Sequence, residues 1–336
     1  MQDHSIAGID ILIRGPRSPV TDAVLEMFRL THPVRLPEKV RLFIHDLQGS
    51  EDLDRTLPLW VCGKLNQLPP SEEVLMVYGS RGELAAIINN GAARYCAWMA
   101  GTADEIRYVS CKMTAKRTPL SVSSVLVPVL RELVARRGKL LVHAASLRYP
   151  DGTGILLLAD SGGGKTTTAL SILRQGAWFL SDDLTVLQET DEQVYMTGFP
   201  ELLNLTDQTV NFFPELRDFL SGSDRQIATG KRMISAQKVY GSVRMLESCH
   251  LHAVYFVNIV PQGPLAKPVN TSNAIGKFIR AHTFARSQSM PASSVESLFS
   301  ILSHIPVFDL HSGPDPVSLG KWLIENNGTH RSISTG

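Results

Sequence analysis

The spacing of apolar residues changes along this chain, and the change predicts two differently built parts. Short runs of β-branched and large apolar residues, typical of strands, fill most of the first 115 residues. The strands predicted there are 8–14, 40–47, 74–78, 84–89, 94–99 and 106–113, with a short helix at 20–30. Further along, strand patterns alternate with helical spacing, first at 121–137. The pattern predicts a β-rich α+β N-terminal domain at 1–118, an α/β domain at 119–328 and a flexible tail at 329–336.

A strand, a glycine loop and a helix follow one another in the middle of the second domain. The apolar run 155–158 leads into Ala159-Asp160-Ser161-Gly162-Gly163-Gly164-Lys165-Thr166, and helical spacing follows at 167–174. The loop fits the pattern G-x-x-x-x-G-K-[ST] except that Ala159 replaces the first glycine. Glycines let the backbone approach a polyphosphate, and the amides at the start of the helix point towards it. Lys165 would contact the β and γ phosphates and the Thr166 hydroxyl suits Mg²⁺. The residues expected to bind nucleotide are Asp160, Ser161, Gly162, Gly163, Gly164, Lys165, Thr166 and Thr167.

The strand that enters this loop follows another strand rather than a helix. Residues 139–149 have the pattern of one buried strand, and residues 150–154 that of a tight turn. Strands joined by so short a turn must be antiparallel, which departs from the usual βαβ order of mononucleotide folds. His143 lies in this apolar strand, where a lone histidine is by itself more typical of a core residue than of a catalytic one.

An acidic pair follows the loop helix after a short distance. The apolar strand 177–180 delivers Ser181-Asp182-Asp183 and is expected to continue as 184–187. Two successive side chains at a strand end leave in opposite directions, so one carboxylate can face a bound nucleotide or Mg²⁺ while the other faces elsewhere. An Asp-Asp pair can also begin an ordinary turn, but its place beside the glycine loop favours a site.

A polar segment at 221–240 has few apolar anchors and is predicted to be mobile, as a lid over a phosphoryl-transfer site would be. Its basic residues Arg225, Lys231 and Arg232 are candidates for stabilising a transferring phosphate. An ordinary solvated loop is the alternative for this segment.

Composition bears on the class of partner rather than on the chemistry. Thirty-three basic residues against 32 acidic ones give a net charge of +1, so neither nucleic acid nor an anionic membrane is an expected partner. The four cysteines are far apart and form no C-x-x-C pair, which favours a reduced, cytoplasmic protein without a zinc ribbon or disulfide framework. The first residues lack the features of a signal peptide, and no run reaches the roughly 18 apolar residues of a membrane span.

Three segments together resemble the catalytic domain of HPr serine kinase/phosphorylase and its kinase homologues. They are His143-Ala144-Ala145, the loop from Ala159 to Thr166, and Leu180-Ser181-Asp182-Asp183. The resemblance covers residues 139–188 well and continues more loosely to about residue 320. It implies an α/β fold with a mixed sheet and a P-loop kinase core similar to HPr kinase and phosphoenolpyruvate carboxykinase, which agrees with the antiparallel entry into the loop.

The resemblance also implies roles for individual residues. Asp182 would act as the base towards a serine hydroxyl, with Lys165 and His143 completing the catalytic set and Thr166 and Asp183 holding the metal. Ala144 and Ala159 stand where the family usually has glycine, and the first 115 residues do not resemble its regulatory domain. The chain is therefore more similar to divergent homologues, some of which accompany lasso-peptide gene clusters and phosphorylate a serine of a precursor peptide.

The leading hypothesis is an ATP- and Mg²⁺-dependent kinase acting on a serine of a peptide or small protein, with the N-terminal domain as a candidate for acceptor recognition. A kinase for a small hydroxylated metabolite and a catalytically silent nucleotide-binding regulatory protein are the alternatives. The intact Lys165, Thr166, Asp182 and Asp183 favour activity. The acceptor, the choice among ATP, GTP and pyrophosphate, the reverse phosphorolysis and a homo-oligomeric state stay open at this stage.

Overall fold

The computed structural model divides into two units, the first ending at Arg137 and the second beginning at Gly138. The residues that it describes are 2–6, 9–16, 18, 21–22, 24, 39–47, 53–71, 73–91, 93–112, 123–160, 162–191, 193–199, 202–220, 231–282 and 292–331. The boundary lies beyond the one predicted at residue 118. The helix predicted at 121–137 therefore falls in the first unit.

The first unit is built on a mixed seven-stranded sheet with the order β1-β2-β3-β7-β6-β5-β4. Strands β2, β3 and β7 pair in parallel, and the other neighbours pair antiparallel. The strands are β1 (Gln2–Ile6), β2 (Ile9–Arg14), β3 (Lys39–Leu47), β4 (Leu75–Tyr78), β5 (Leu84–Asn89), β6 (Ala93–Met99) and β7 (Glu105–Lys112). The β-rich pattern of the sequence is thus confirmed for this unit.

Helices of the first unit cover the β5–β6 part of its sheet. Helices α1 (Leu53–Thr56) and α2 (Leu59–Gln67) were not predicted, whereas α3 (Ser123–Ala135) was. Every residue of β5 is buried, because α2 and α3 both pack against that strand. The helix predicted at 20–30 lies mostly outside the described residues, although Thr21, Asp22 and Val24 are helical.

The second unit contains a six-stranded mixed sheet, a four-stranded antiparallel sheet and a two-stranded one. Their orders are β11-β9-β10-β17-β19-β18, β16-β13-β12-β8 and β14-β15. The strands are β8 (Leu140–His143), β9 (Ala145–Arg148), β10 (Gly154–Leu158), β11 (Trp178–Ser181), β12 (Leu184–Thr190), β13 (Gln193–Gly198), β14 (Leu202–Leu205), β15 (Arg232–Ser235), β16 (Ser248–His250), β17 (Ala253–Asn258), β18 (Leu265–Pro268) and β19 (Val307–His311). The helices are α4 (Lys165–Leu173), α5 (Asp207–Phe212), α6 (Ala236–Tyr240), α7 (Thr271–His282), α8 (Ala292–His304) and α9 (Leu319–Arg331), with 3₁₀ turns at Pro214–Phe219 and Ser242–Arg244.

Strand β10 lies at the centre of the six-stranded sheet and is buried on both faces. Ile155 and Leu157 point into one core, together with the inner faces of α4 and α9. Leu156 and Leu158 point into a second core, formed with α7, α8 and the four-stranded sheet. Because successive residues of a strand face opposite sides, the uninterrupted apolar run of this strand is what a doubly covered position requires.

The apolar segment predicted as one strand at 139–149 is two strands in different sheets. Strand β8 pairs with β12 in the four-stranded sheet, whereas β9 pairs with β10 and β11 in the six-stranded one. The chain crosses between the sheets at Ala144. The same happens between β11 and β12, so the predicted continuation of the strand 177–180 into 184–187 is wrong. The antiparallel pairing of β9 with β10 is confirmed.

Two other predicted segments are more ordered than their composition indicated. In the polar segment 221–240, residues 232–235 form β15 and residues 236–240 form α6, while 221–230 lie outside the described residues. Helix α9 extends to Arg331, so the predicted tail begins as helix and only 332–336 lie outside the described residues. Within the described ranges, no helix is long and apolar enough to cross a membrane.

Candidate active site

The glycine loop joins the end of β10 to the start of α4 through backbone conformations that require glycine. Gly162 and Gly164 have φ angles of 79° and 88°, in the left-handed region where a side chain is strained. A Cβ on Gly163 would lie 2.9 Å from the carbonyl oxygen of Asp160, to which the Gly163 amide donates a hydrogen bond of 2.8 Å. The loop therefore curls back on itself and leaves the first turn of α4 facing outward. Ser161 lies outside the described residues.

Several loops meet the glycine loop at one edge of the six-stranded sheet. Strands β10, β17 and β19 are parallel, so their carboxyl ends lie at the same edge. Strand β11 is antiparallel to β9, which is antiparallel to β10, so β11 also ends there and delivers Asp182 and Asp183. These loops enclose a cavity of about 730 Å³, within the range of small-molecule sites.

Both acidic residues line this cavity, together with His143, Lys165 and Thr166. The sequence had predicted that successive side chains would leave in opposite directions. The premise of that prediction does not hold, because Asp182 and Asp183 lie in the connection between β11 and β12 and not within a strand. The two carboxylates nevertheless have different surroundings.

Asp182 is the enclosed member of the pair, with only 1% of its surface exposed. Its Oδ2 atom accepts hydrogen bonds from the Thr166 hydroxyl at 3.1 Å and from the Asn204 amide at 3.0 Å. Its Oδ1 atom is buried without a hydrogen-bond partner among the described residues. Burial raises the pKa of Asp182, although the Asn204 amide and the charge of Lys165 oppose the shift.

Asp183 is partly exposed, with 34% of its side chain accessible, and it contacts two basic residues. Its Oδ1 atom lies 2.5 Å from His143 Nε2 and 3.9 Å from Lys165 Nζ. Burial alone would raise the pKa of Asp183, but the hydrogen bond from His143 and the nearby charges outweigh burial and hold the pKa well below its usual range. Asp183 is therefore an ionised carboxylate at neutral pH.

The two sheet crossings bring His143 and Asp183 together. His143 is the last residue of β8 and pairs in register with Leu184, the first residue of β12. The Ala144 amide donates a hydrogen bond of 2.9 Å to the Asp183 carbonyl oxygen and holds the two crossings side by side. A histidine in an apolar strand thus lies at a strand end in the cavity and not in the core.

The basic residues predicted to stabilise a phosphate are placed differently from one another. Lys231 lines the cavity, whereas Arg232 forms an ion pair with Asp207 at 3.2 Å beside a smaller adjacent cavity. Arg225 lies outside the described residues. Lys231 immediately precedes strand β15, and Arg232 is the first residue of that strand.

A set of neutral polar residues in the cavity was not predicted. Thr206 caps α5 by accepting a hydrogen bond of 3.1 Å from the Thr209 amide, and the Thr209 hydroxyl also contacts that of Thr167 at 3.1 Å. Asn204 precedes this cap and holds Asp182. The capping pattern was visible in the sequence, but its meeting with α4 depends on the pairing of β14 with β15.

Comparison with known proteins gives one partial sequence match. No family profile matches the chain. Over 129 residues, or 38% of its length, the chain is 28% identical to the HPr kinase/phosphorylase of Lactiplantibacillus plantarum. The match spans 39% of the length of that relative. A solved HPr(Ser) kinase/phosphatase from Coxiella burnetii is 14% identical, with a TM-score of 0.33, and the alignment covers 58% of this chain and 99% of that one.

The sequence match points to the same family that the glycine loop, the acidic pair and His143 indicated from their residue pattern. Those residues line one cavity in the structure. The chain is therefore similar, at 28% identity and over part of its length, to HPr kinase/phosphorylase.

Proposed function

We propose that this chain is an ATP- and Mg²⁺-dependent kinase with a P-loop core, which transfers the γ-phosphoryl group to a serine hydroxyl of a peptide or small protein. The observation that carries the proposal is that one cavity is lined by the start of a glycine-loop helix, by Lys165 and by the Asp183–His143 pair. Phosphoryl transfer needs these parts: a grip on the phosphates, a positive charge and a proton acceptor.

The glycine loop and the first turn of α4 form the phosphate grip in this proposal. Amides in the first turn of a helix lack partners within the helix, and the partial positive charge there favours anions. Gly162, Gly163 and Gly164 allow the phosphates close access to the backbone. Lys165 and Lys231 place ammonium groups on the same cavity, where they would stabilise charge on the transferring group.

The residues around Thr166 suit a divalent cation. Mg²⁺ prefers oxygen ligands and is held by one or two carboxylates or hydroxyls together with substrate phosphates. The Thr166 hydroxyl and Asp182 meet at 3.1 Å, and Asp182 Oδ1 is a buried carboxylate oxygen without a partner among the described residues. Bound Mg²⁺ would neutralise negative charge on the phosphates. We therefore assign Thr166 and Asp182 to the metal.

The geometry favours Asp183 as the base, an exchange of the roles that the family resemblance implied for the two aspartates. Asp183 is partly exposed to the cavity, whereas Asp182 is enclosed and already accepts hydrogen bonds from Thr166 and Asn204. His143 donates from Nε2 to Asp183 Oδ1 and orients the carboxylate. As the acceptor oxygen forms its bond to the γ phosphorus and the bond to the ADP oxygen breaks, the hydroxyl proton passes to Asp183.

The choice of a peptide or small protein as acceptor rests on the partial similarity to HPr kinase/phosphorylase. We further propose that the first unit contributes to acceptor recognition, and that the enzyme acts in the cytoplasm, where ATP is available. Incubation with labelled ATP and a serine-containing peptide library tests the acceptor class directly. Transfer to small polyols or free amino acids but to no peptide would favour a metabolite kinase.

Replacement of Lys165 tests the nucleotide site itself. Lys165→Ala should weaken binding of Mg²⁺–ATP by about tenfold or more, since it removes an ammonium group from the phosphate grip. Lys238→Ala, which removes an exposed lysine of α6, is the matched control and should leave the affinity unchanged. Isothermal titration calorimetry measures both. Equal affinities of the wild-type and Lys165→Ala proteins would contradict the assignment of the loop.

A further inference from the structure

The cavity is chemically divided, with its charged residues on one side of the glycine loop and an apolar surface on the other. In the order β11-β9-β10-β17-β19, the loop follows the central strand β10, and Asp182 and Asp183 follow β11. The loops after β17 and β19 lie on the opposite side of β10. They line the cavity with Ile259, Val260, Pro261, Pro314 and Pro316.

This apolar surface is exposed and lies next to the phosphate grip. Ile259 is 64% exposed, so its side chain is accessible to a ligand in the cavity. Its side chain approaches the glycine loop, because a Cβ on Gly164 would lie 3.0 Å from Ile259 Cγ1. A ligand whose phosphates rest on α4 would therefore place its next group over Ile259.

Three polar groups of the loop after β19 have partners within the protein. The Ser312 amide donates to the Asn258 carbonyl oxygen at 3.0 Å, and the Ser312 hydroxyl donates to the Gly313 carbonyl oxygen at 3.1 Å. The Val317 amide donates to the Asp315 carboxylate at 2.9 Å, which fixes the segment that carries Pro314 and Pro316. The surface is thus held in place, and its five apolar side chains offer no hydrogen-bonding group.

We propose that this apolar surface, Ile259 to Pro261 with Pro314 and Pro316, is the nucleobase subsite, and that it binds adenine and guanine nucleotides with similar affinity. The inference rests on the proposed function. A nucleotide has a flat aromatic base at one end and anionic phosphates at the other. The base would contact this apolar surface while the phosphates bind at the phosphate grip. A protein site distinguishes adenine from guanine when it has hydrogen-bonding groups that pair with one base and are left unpaired by the other. Contacts from isoleucine, valine and proline side chains do not supply them.

Equilibrium binding to the full chain tests the proposal with three probes: Mg²⁺–ATP, Mg²⁺–GTP and inorganic tripolyphosphate. ATP and GTP should bind within about threefold of each other, and tripolyphosphate about tenfold or more weaker because it lacks the base. Ile259→Ser should weaken ATP binding by about threefold to tenfold and leave tripolyphosphate unchanged. Pro314→Ser, on the other loop, should do the same.

Val243→Ser is the matched control, because Val243 is 79% exposed and does not line the cavity. A preference above about tenfold for one purine would overturn the proposal, as would unchanged ATP binding by both cavity variants. Parallel losses for ATP and tripolyphosphate would also overturn it, because Ile259 would then act through the glycine loop. If tripolyphosphate binds but ATP binds no better, the base subsite fails while the phosphate grip stands. If none of the three probes binds, both the base subsite and the proposed function fail.

Discussion

Asp182 and Asp183 are adjacent in the sequence but differ in exposure and in partners, so their substitution separates two roles. Asp183→Asn should lower turnover by about 10²- to 10⁴-fold, because an amide cannot accept the hydroxyl proton, and should leave ATP affinity largely intact. Asp182→Asn should instead raise the Mg²⁺ concentration needed for half-maximal activity, since it removes a charged oxygen beside Thr166. Steady-state kinetics over a range of Mg²⁺ concentrations distinguishes the two effects.

The reverse outcome has a definite meaning. If Asp182→Asn abolishes transfer at saturating Mg²⁺ and Asp183→Asn retains turnover within a few-fold, then Asp182 is the base, as the family resemblance implied. His143→Gln provides a further check, because His143 contacts Asp183 and should share its effect. A His143 variant with full activity would remove the orienting role that we assign to this ring.

Burial of Asp182 should also cost stability in the unliganded protein. Its folded-state pKa is raised, so the folded protein holds this proton more tightly than the unfolded chain does. The contribution of Asp182 to stability is then greatest below the unfolded-state pKa, near pH 4, and is lost as the pH rises through the folded-state value. Asp182→Asn keeps an oxygen that can accept from Thr166 and Asn204 but carries no charge. At pH 7 without Mg²⁺, this variant should be more stable by roughly 0.5–2 kcal/mol.

Chemical denaturation at pH 7 and at about pH 4 measures this difference, which should shrink at the lower pH. Added Mg²⁺ and nucleotide should stabilise the wild-type protein more than the variant, because the carboxylate then has a partner. A variant that is less stable than the wild type at both pH values would show that the Asp182 charge is already compensated without a ligand.

At the scale of elements, the position of the glycine-loop helix depends on its packing against the last helix. A Cβ on Gly320 of α9 would overlap the Ser171 carbonyl oxygen of α4, so the two backbones are in direct contact. Gly320→Ala should destabilise the protein by about 1–3 kcal/mol and weaken ATP binding, because α4 must move to admit the methyl group. Gly276→Ala in α7 is the matched control.

Gly276 has open space around it, because the nearest neighbour of a Cβ added there would be the end of the flexible Arg280 side chain, 3.6 Å away. Alanine there should leave stability unchanged or raise it by about 0.5–1 kcal/mol, as helix propensity predicts. Thermal unfolding and calorimetry on both variants give the comparison. Equal behaviour of the two variants would mean that the contact between α4 and α9 is not tight.

The elements that the sequence predicted well are those whose signals are local. The strand, glycine loop and helix from 155 to 174 follow from apolar periodicity and from glycine geometry, and the turn at 150–154 correctly predicted antiparallel strands. The crossing at Ala144 has no local signal, because the apolar run 139–149 is continuous whichever sheet each half joins. Strand β15 pairs with β14, which lies on the other side of the α5 region in the sequence. The polar composition of residues 232–240 therefore did not indicate that they form a strand and a helix.

The residues of the candidate site also divide into those with a local sequence signal and those without one. Lys165, Thr166 and the acidic pair were found because their spacing is a property of one short stretch of chain. His143 was a candidate from the family resemblance, but its contact with Asp183 was not predicted, nor was the hydrogen bond from Asn204 to Asp182. Both contacts depend on which sheets the strands of His143 and Asn204 join. The apolar surface after β17 and β19 was missed because Ile259 and Pro314 have no chemical signal before the parallel pairing places them at one edge.

At the scale of the whole molecule, every described residue that lines the cavity belongs to the second unit. A ligand that binds only the folded state stabilises it by about 2.7 kcal/mol at a hundred times its dissociation constant. We therefore expect saturating Mg²⁺–ATP to slow amide hydrogen exchange in the glycine loop, the β11–β12 connection and the loops after β17 and β19. Strands β5 and β6 of the first unit, 84–89 and 93–99, provide the reference. Protection confined to those reference strands would place the nucleotide in the first unit and contradict the proposed site. Protection of the four cavity loops by both ATP and GTP would agree with the phosphate grip and with the base subsite.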